Sequence, residues 1–501
     1  MKILLVYPKF PETFWSFTWA LKFVSKKSGT PPLGLATVAS MLPEDWERKL
    51  IDTNVSRLRD AHIAWADYVF ISGMSVQKQS ALELVDRCSR FDAKVVAGGP
   101  LFSTSYEDFP KVDHFVLNEA EITLPEFLED LEKGSPRRMY TTGEFADLHE
   151  TPAPDWSLIK MKKYASMSLQ YSRGCPYNCD FCDITLLYGR KVRIKETTQI
   201  LEELENIYRM KWRESVFFVD DNFIAHKARL KKETLPAIIN WMRERNHPFV
   251  FNTQASINIA DDEELMRLMV EAGFDKVFIG IETPSEEGLK ECSKVQNEHR
   301  DLVSCVKKIH GFGLEVQGGF IVGFDSDSKS IFEEQIRFIQ ESAVVTAMVG
   351  LLTALKGTKL YKRLQRENRL VGEESGNNTD CTLNFEPRMD KNTLLEGYKR
   401  IVSTIYSPSY YYRRVRSFLE EYSPPVKKHL FRFKPVHILT LIKTTFFLGI
   451  IGKERFHYWR LMFWTIFTRP RLFPAATTLA IYGFHHRKVC EKYIRKEKIG
   501  R

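Results

Sequence analysis

Arg173-Gly-Cys175-Pro-Tyr-Asn-Cys179-Asp-Phe-Cys182 puts three cysteines within eight residues, directly after an apolar stretch at 166–171 that reads as a strand. Three thiolates on one short loop can each take one iron of a cubane [4Fe–4S] cluster, leaving the fourth iron an open coordination position. Structural zinc takes four protein ligands, and no fourth cysteine or histidine follows at a convincing spacing. The other cysteines, at 88, 292, 305, 381 and 490, are too few and too scattered for a disulfide framework. The first residues carry only a four-residue apolar run before Tyr7, Pro8 and Lys9, which is no signal peptide, so a cytoplasmic, reducing location is expected.

Downstream of the cysteine loop, apolar runs at 215–219, 250–254, 276–281, 314–322 and 346–351 alternate with helical patterns at 200–210, 235–245, 262–272, 303–309 and 330–342. With the strand at 166–171 this makes six βα-like repeats, so an α/β partial (β/α)6 barrel is expected over 161–365, short of a full eight-stranded TIM barrel. Upstream, Thr151-Pro-Ala-Pro-Asp-Trp marks a linker at 146–160. Residues 1–145 alternate short apolar strands with helices, which predicts a Rossmann-like parallel sheet. Ser72-Gly73 and Gly98-Gly99-Pro100 fall where strands of that sheet should end. They are either plain tight turns or places where backbone approaches a large cofactor.

Residues 366–501 change character, with an Asn377-Asn378 turn, tyrosines at 406 and 410–412, a Pro424-Pro425 break, and apolar stretches at 437–451 and 456–467. Neither apolar stretch reaches the roughly 20 residues that span a bilayer. Trp459, Trp464, Lys443 and Arg460 beside apolar neighbours suit a helix lying on a membrane surface, or a helical cap packed on the rest of the chain. Charge supports the division. The chain carries 73 Lys+Arg and 64 Asp+Glu, but residues 401–501 hold 20 and 5 of these, so this end is +15 and the first 400 residues are −6. A nucleic-acid partner is not expected from so uneven a surface.

The cysteine triplet, with an aromatic Phe181 before its last member, resembles the radical S-adenosylmethionine superfamily. The resemblance implies Cys175, Cys179 and Cys182 as catalytic cluster ligands, with S-adenosylmethionine chelating the open iron and an adenosyl radical formed on reduction. It further implies Asp220 and Asp221 after the second strand, Gln254 after the third, Gly280 and Glu282 after the fourth, and Gly318 and Gly323 around the fifth as cofactor-binding residues, with Glu282 toward the ribose. Tyr7, Pro32-Leu33-Gly34, Ser72-Gly73 and Gly98-Gly99-Pro100 resemble the cobalamin-binding domain that precedes many of these enzymes. Its DxHxxG motif is absent and only His62 and His114 are nearby, so cobalamin without a histidine ligand is implied; a Rossmann domain that has lost cobalamin is the alternative.

The opening Tyr7-Pro-Lys-Phe-Pro-Glu-Thr-Phe-Trp-Ser-Phe17, with Ala20-Leu-Lys-Phe-Val-Ser-Lys-Lys27 and the long basic C-terminal region, resembles the C-2 hopanoid methylase-like group, and the resemblance extends over nearly the entire chain. That resemblance implies a methyltransferase acting through methylcobalamin on an unactivated carbon of a hydrophobic, polycyclic lipid, with an external one-electron reductant such as flavodoxin or ferredoxin. Cyclisation, oxidation or carbon–carbon coupling without net methyl transfer is the alternative outcome. The basic C-terminal helices would then place the enzyme on the cytoplasmic membrane face.

Overall fold

The computed structural model describes residues 1–373, 375–377, 379–424 and 435–499; Asn378 and Pro425, read above as part of a turn and a break, lie outside the described residues. Ile3, Leu4, Leu5 and Val6 are wholly buried, as a strand covered on both faces requires. This strand, β1 (Lys2–Tyr7), pairs in parallel with β2 (Glu47–Asp52) on one side and β3 (Tyr68–Ser72) on the other. The sheet continues through β4 (Lys94–Gly98), β5 (His114–Val116) and β6 (Met139–Tyr140), giving the order β2-β1-β3-β4-β5-β6. The strand order reverses at β1, so the chain leaves Tyr7 and Ser72 toward opposite faces and opens a crevice between their ends.

Beyond 3-10 turns at Leu148–Glu150, Trp156–Leu158 and Met161–Lys163 the second sheet begins. Its strands are β7 (Ser166–Leu169), β8 (Ser215–Phe218), β9 (Val250–Gln254), β10 (Phe274–Glu282), β11 (Glu315–Val322) and β12 (Ala347–Leu351). They pair in sequence, all parallel, and β7 and β12 do not meet, so the six strands form an open barrel. Local chemistry sets the intervening helices. Glu263–Ala272, for instance, starts where the Asp262 carboxylate accepts the Leu265 N–H at 3.0 Å and stops at Gly273, whose φ of +113° favours glycine.

The barrel's open side is closed from both ends of the chain. Beside β7, the Ser166 N–H donates to the Gly29 carbonyl at 2.8 Å. Beside β12, the Tyr406 hydroxyl, from the helix C-terminal edge at Lys391–Ile405, donates to the Ala347 carbonyl at 2.6 Å. The helix Phe473–Ile499 brings His485 and His486 against Phe14 and Phe17 of the N-terminal loop. The C-terminal region is helical, as expected, with a hairpin of Pro435–Thr444, a π-helical turn Thr445–Ile450 and Arg455–Thr468. No helix among the described residues is long and apolar enough to cross a membrane.

Candidate functional site

The cysteine loop leaves the barrel through Ser172–Arg173, which pairs antiparallel with Arg193–Ile194. Gly174 makes the turn at φ +93°; a side chain there would press on the carbonyls of Tyr188 and Gly189 at 3.0 Å. Cys175, Cys179 and Cys182 are free thiols, each half-buried. The N–H groups of Tyr177 and Ile184 donate to the sulfurs of Cys175 and Cys182, and Gln296 Nε2 lies 3.9 Å from Cys179 Sγ. Among the described residues no three Cys, His, Asp or Glu side chains gather closely enough to hold one metal ion. Three thiols on one loop with amide donors fit a cluster that takes one iron per thiolate, whereas structural zinc takes four protein ligands. Burial pushes all three thiols up, Cys182 to about 12, so ligation has to displace their protons.

Asp220 and Asp221 lie beneath this loop. Asp220 is fully buried and accepts from the Tyr171 N–H at 3.1 Å and from both the N–H and the hydroxyl of Ser172. The carboxylate is hydrogen-bonded inside the protein, where it anchors the strand that launches the loop. Burial pushes it to about 6. Asp221 accepts from the Gly174 N–H, and burial with neighbouring Asp220 and Asp183 pushes it to about 7.

Glu282 ends β10 with φ +65°, a left-handed conformation uncommon for a residue with a side chain. The register of β10 against β11 shifts between Gly280 and Glu282, and the Asn297 side chain donates to the carbonyls of Gly280 at 3.1 Å and Ile281 at 3.0 Å. The bulge turns the Glu282 carboxylate onto Lys294 Nζ at 2.6 Å. Gly280 leaves room for this pair, because a Cβ would lie 2.2 Å from Glu282 Oε1 and 2.8 Å from Lys294 Nζ and would displace them. Lys294 is thus drawn between Glu282 and the cysteine sulfurs: burial opposes its charge, but Glu282 and then Cys179 raise it above the ordinary lysine range. The Phe181 ring lies 6.0 Å from the same ammonium.

Gly318 lies inside β11. A Cβ there would strike Phe320 at 2.7 Å and Val344 at 3.0 Å, so it faces the surrounding helices; Gly319, whose Cβ would meet the Phe278 ring at 2.8 Å, is on the other face of the strand. Gly323 ends β11 at φ +110° and donates to Asp327 at 2.8 Å, a turn position. Gln254 closes β9 half-buried, with no side-chain hydrogen bond among the described residues.

In the first sheet, Tyr7 and Ser72 border the crevice, and burial raises the Tyr7 hydroxyl above its ordinary range. Gly98 and Gly99 are explained by packing: a Cβ would lie 2.4 Å from the Val116 carbonyl and 2.3 Å from Ser72 Oγ, respectively. Pro100 opens the short helix Pro100–Ser105, and the Gly73 carbonyl accepts the Leu101 N–H. Pro32 precedes the helix Leu33–Met41, and a Cβ on Gly34 would meet nothing within 4 Å, leaving that turn open to a bulky group. His114 opens β5 and His62 lies on the turn before β3, so both belong to the opposite end of the sheet from the crevice. The residues fit a cobalamin held by crevice backbone without a histidine ligand.

Sequence reasoning missed the ion pairs that join the two sheets. Glu119 and Glu121, at the start of the helix Ala120–Glu132, reach into the cysteine loop's own hairpin. Arg193 contacts both Glu119 oxygens at 2.6 and 2.8 Å, and Arg173 contacts both Glu121 oxygens at 3.0 and 2.7 Å. Burial works against the Glu121 charge, but Arg173 outweighs it and holds the carboxyl below its ordinary range.

Three family profiles match successive parts of the chain: a B12 binding domain over 24–128, the radical SAM superfamily over 169–339 and a domain of unknown function over 358–498. An uncharacterized methyltransferase of Synechocystis sp. is 41% identical, the alignment covering 100% of this chain and 94% of that protein. The hopanoid C-2 methylase of Rhodopseudomonas palustris is 31% identical over 92% of this chain and 88% of its own length. Among solved structures, the cobalamin-dependent S-adenosylmethionine radical enzyme OxsB with aqua-cobalamin bound has a TM-score of 0.63 at 17% identity, covering 99% of this chain and 80% of that one.

Proposed function

The chain belongs to the cobalamin-dependent radical S-adenosylmethionine methyltransferases, and from that premise we propose that it methylates an unactivated carbon of a hydrophobic, polycyclic, hopanoid-like lipid. The observation that carries the substrate class is the near full-length likeness to a hopanoid C-2 methylase. When bound, the [4Fe–4S] cluster, S-adenosylmethionine and cobalamin supply the radical and the methyl group. An unactivated carbon has no lone pair with which to attack a sulfonium, which is why radical chemistry is needed.

The chain's own residues bind and orient. Cys175, Cys179 and Cys182 hold the cluster, and Gln296 and the Tyr177 and Ile184 amides support their sulfurs. Glu282, steered by Lys294, offers a carboxylate to ribose hydroxyls, with Gly280 keeping the space clear. Tyr7, Leu33-Gly34 and Ser72-Gly73 border the cobalamin crevice. The Glu119–Arg193 and Glu121–Arg173 pairs hold the crevice domain against the cluster loop, so that methyl donor and radical face one substrate. An external one-electron donor such as flavodoxin or ferredoxin supplies the reducing equivalent.

Membrane contact is part of the same reading. The C-terminal hairpin exposes Phe456 at 74% and Phe467 at 81% of their surface. Residues 435–471 carry six Lys+Arg and one acid, Glu454, which is buried in a pair with Arg487. An apolar face rimmed by cations matches anionic lipid, whereas a second copy of the chain would oppose like charges.

The test is anaerobic reconstitution with cobalamin, S-adenosylmethionine, a reductant and a total lipid extract. A lipid heavier by one methylene is expected. Deoxyadenosine formation with no methyl incorporation and no dependence on cobalamin would overturn the proposal.

A further inference from the structure

A cleft of about 510 Å³ runs along β2, the edge strand of the first sheet, and its lining shares no residue with the crevice or the cysteine loop described above. Its lining contains Lys27, Arg48, Lys49, Arg57, Arg59 and Lys160, and no aspartate or glutamate. None of these six forms an ion pair with a carboxylate among the described residues. Their nitrogens meet neutral groups instead: Arg48 the Ala39 carbonyl at 2.6 Å, Lys27 the Val55 carbonyl at 3.3 Å, and Lys160 the Ser56 hydroxyl at 3.3 Å. Lys49 stands 3.5 Å over the Trp65 ring. The arrangement is not a by-product of composition, because the first 400 residues are net acidic. Convergence of the cations shows at His62, also in the lining, which burial together with Arg59, Lys49 and Lys160 holds below the ordinary imidazole range.

We propose that this cleft is a binding site for a phosphate-bearing ligand, either the headgroup of an anionic lipid or a soluble phosphorylated compound. Guanidinium forks and ammonium groups are the side chains that recognise phosphate oxygens, and a lining without carboxylates leaves them free to do so. The volume lies within the ordinary range for small-molecule sites, about 300–1,000 Å³, and exceeds what a bare phosphate fills. Position favours a membrane source. Lys27 follows two residues after Ser25, whose hydroxyl accepts from Lys443 Nζ at 3.2 Å, and Lys443 belongs to the apolar hairpin. This source rests on the membrane reading above; the phosphate site itself does not.

The full chain is titrated with pyrophosphate while Trp65 fluorescence is followed, against sodium chloride of equal ionic strength and with Trp65→Phe as the control for the other tryptophans. A saturable change is expected, because an anion draws Lys49 off the ring. Arg57→Glu/Arg59→Glu alters two exposed side chains and should weaken binding at least tenfold, with Arg57→Gln/Arg59→Gln intermediate. Equal binding by wild type and the charge-reversed variant, or the same response to chloride, would overturn the site. Vesicles of phosphatidylcholine with and without phosphatidic acid then separate the sources. For a lipid headgroup, pyrophosphate competes with the phosphatidic acid vesicles and the charge-reversed variant binds them less. Pyrophosphate binding with vesicle binding unaffected supports the soluble source. Phe456→Ser/Phe467→Ser should lose vesicles yet keep the pyrophosphate response; loss of the hairpin's membrane binding alone therefore leaves the cleft standing.

Discussion

At the junction of the two sheets, Glu119, Glu121, Arg173 and Arg193 bury their charges, each side chain 13% exposed or less. In the C-terminal hairpin the opposite holds: of 21 exposed large apolar side chains among the described residues, 13 lie between Ile438 and Phe467. Both regions depart from the usual partition, in which charge is solvated and large apolar groups are covered. The junction shows that buried charge is tolerated where each guanidinium fork is matched to a carboxylate, which confers orientation more than stability. The hairpin leaves apolar surface exposed among the described residues, where the junction leaves none of its charge exposed.

The largest effect should come from the loop that the junction supports. Replacing Cys175, Cys179 or Cys182 with Ala is expected to reduce iron incorporation and abolish deoxyadenosine formation; normal reductive cleavage in any such variant would refute the ligand assignment. Next, Glu119→Ala strands Arg193 in a buried setting and should cost about 3–5 kcal/mol in denaturant unfolding. The double variant with Arg193→Ala should recover much of that loss, and a cost near zero for Glu119→Ala would place the junction in water. In the hairpin, Phe456→Ser/Phe467→Ser should leave stability within about 0.5 kcal/mol. The same variant should lower vesicle affinity at least tenfold, since each aromatic ring entering lipid contributes about 1.5–3 kcal/mol. A large loss of stability instead would show the hairpin to be ordinary core.

A smaller effect reports on how the C-terminal helices stay attached. His310, packed 4.8 Å from the Phe418 ring, has neither ring nitrogen hydrogen-bonded, and burial pushes it down to about 3; burial likewise pushes His485 to about 4. These imidazoles are neutral when folded and become charged in the unfolded chain below its ordinary value near 6.5. Unfolding therefore takes up protons between about pH 6.5 and the folded values, and stability falls as pH falls through that window. Each histidine contributes at most about 1.4 kcal/mol per pH unit. His310→Phe should flatten the decline in melting temperature from pH 6.5 to 4, and an unchanged slope would remove His310 from the linkage.

Much of the fold was legible because local signals were strong. The strand Val250–Gln254 lies where apolar patterning put it, and the other barrel strands differ by only a few residues at their ends. The strands His114–Val116 and Met139–Tyr140 were missed because three and two residues are too short to carry a period. The faces taken by Gly318 and Gly319 were not legible for a related reason: side chains alternate along a strand, so a shift of one residue exchanges them. The partners of Asp220 were not legible, because only the fold brings Ser172 and Tyr171 to its carboxylate.

The sequence by itself determined the cluster loop, the succession of two α/β sheets and the basic, aromatic end, since each is written in contiguous residues whose chemistry acts locally. Tertiary structure alone decided the pairing of Glu119 with Arg193 across 74 positions, the turning of Glu282 onto Lys294, and the gathering of Lys27, Arg48 and Lys160 around one cleft. Such contacts depend on strand order and on which face each side chain takes, and charge pairing has no period along the chain from which either could be read.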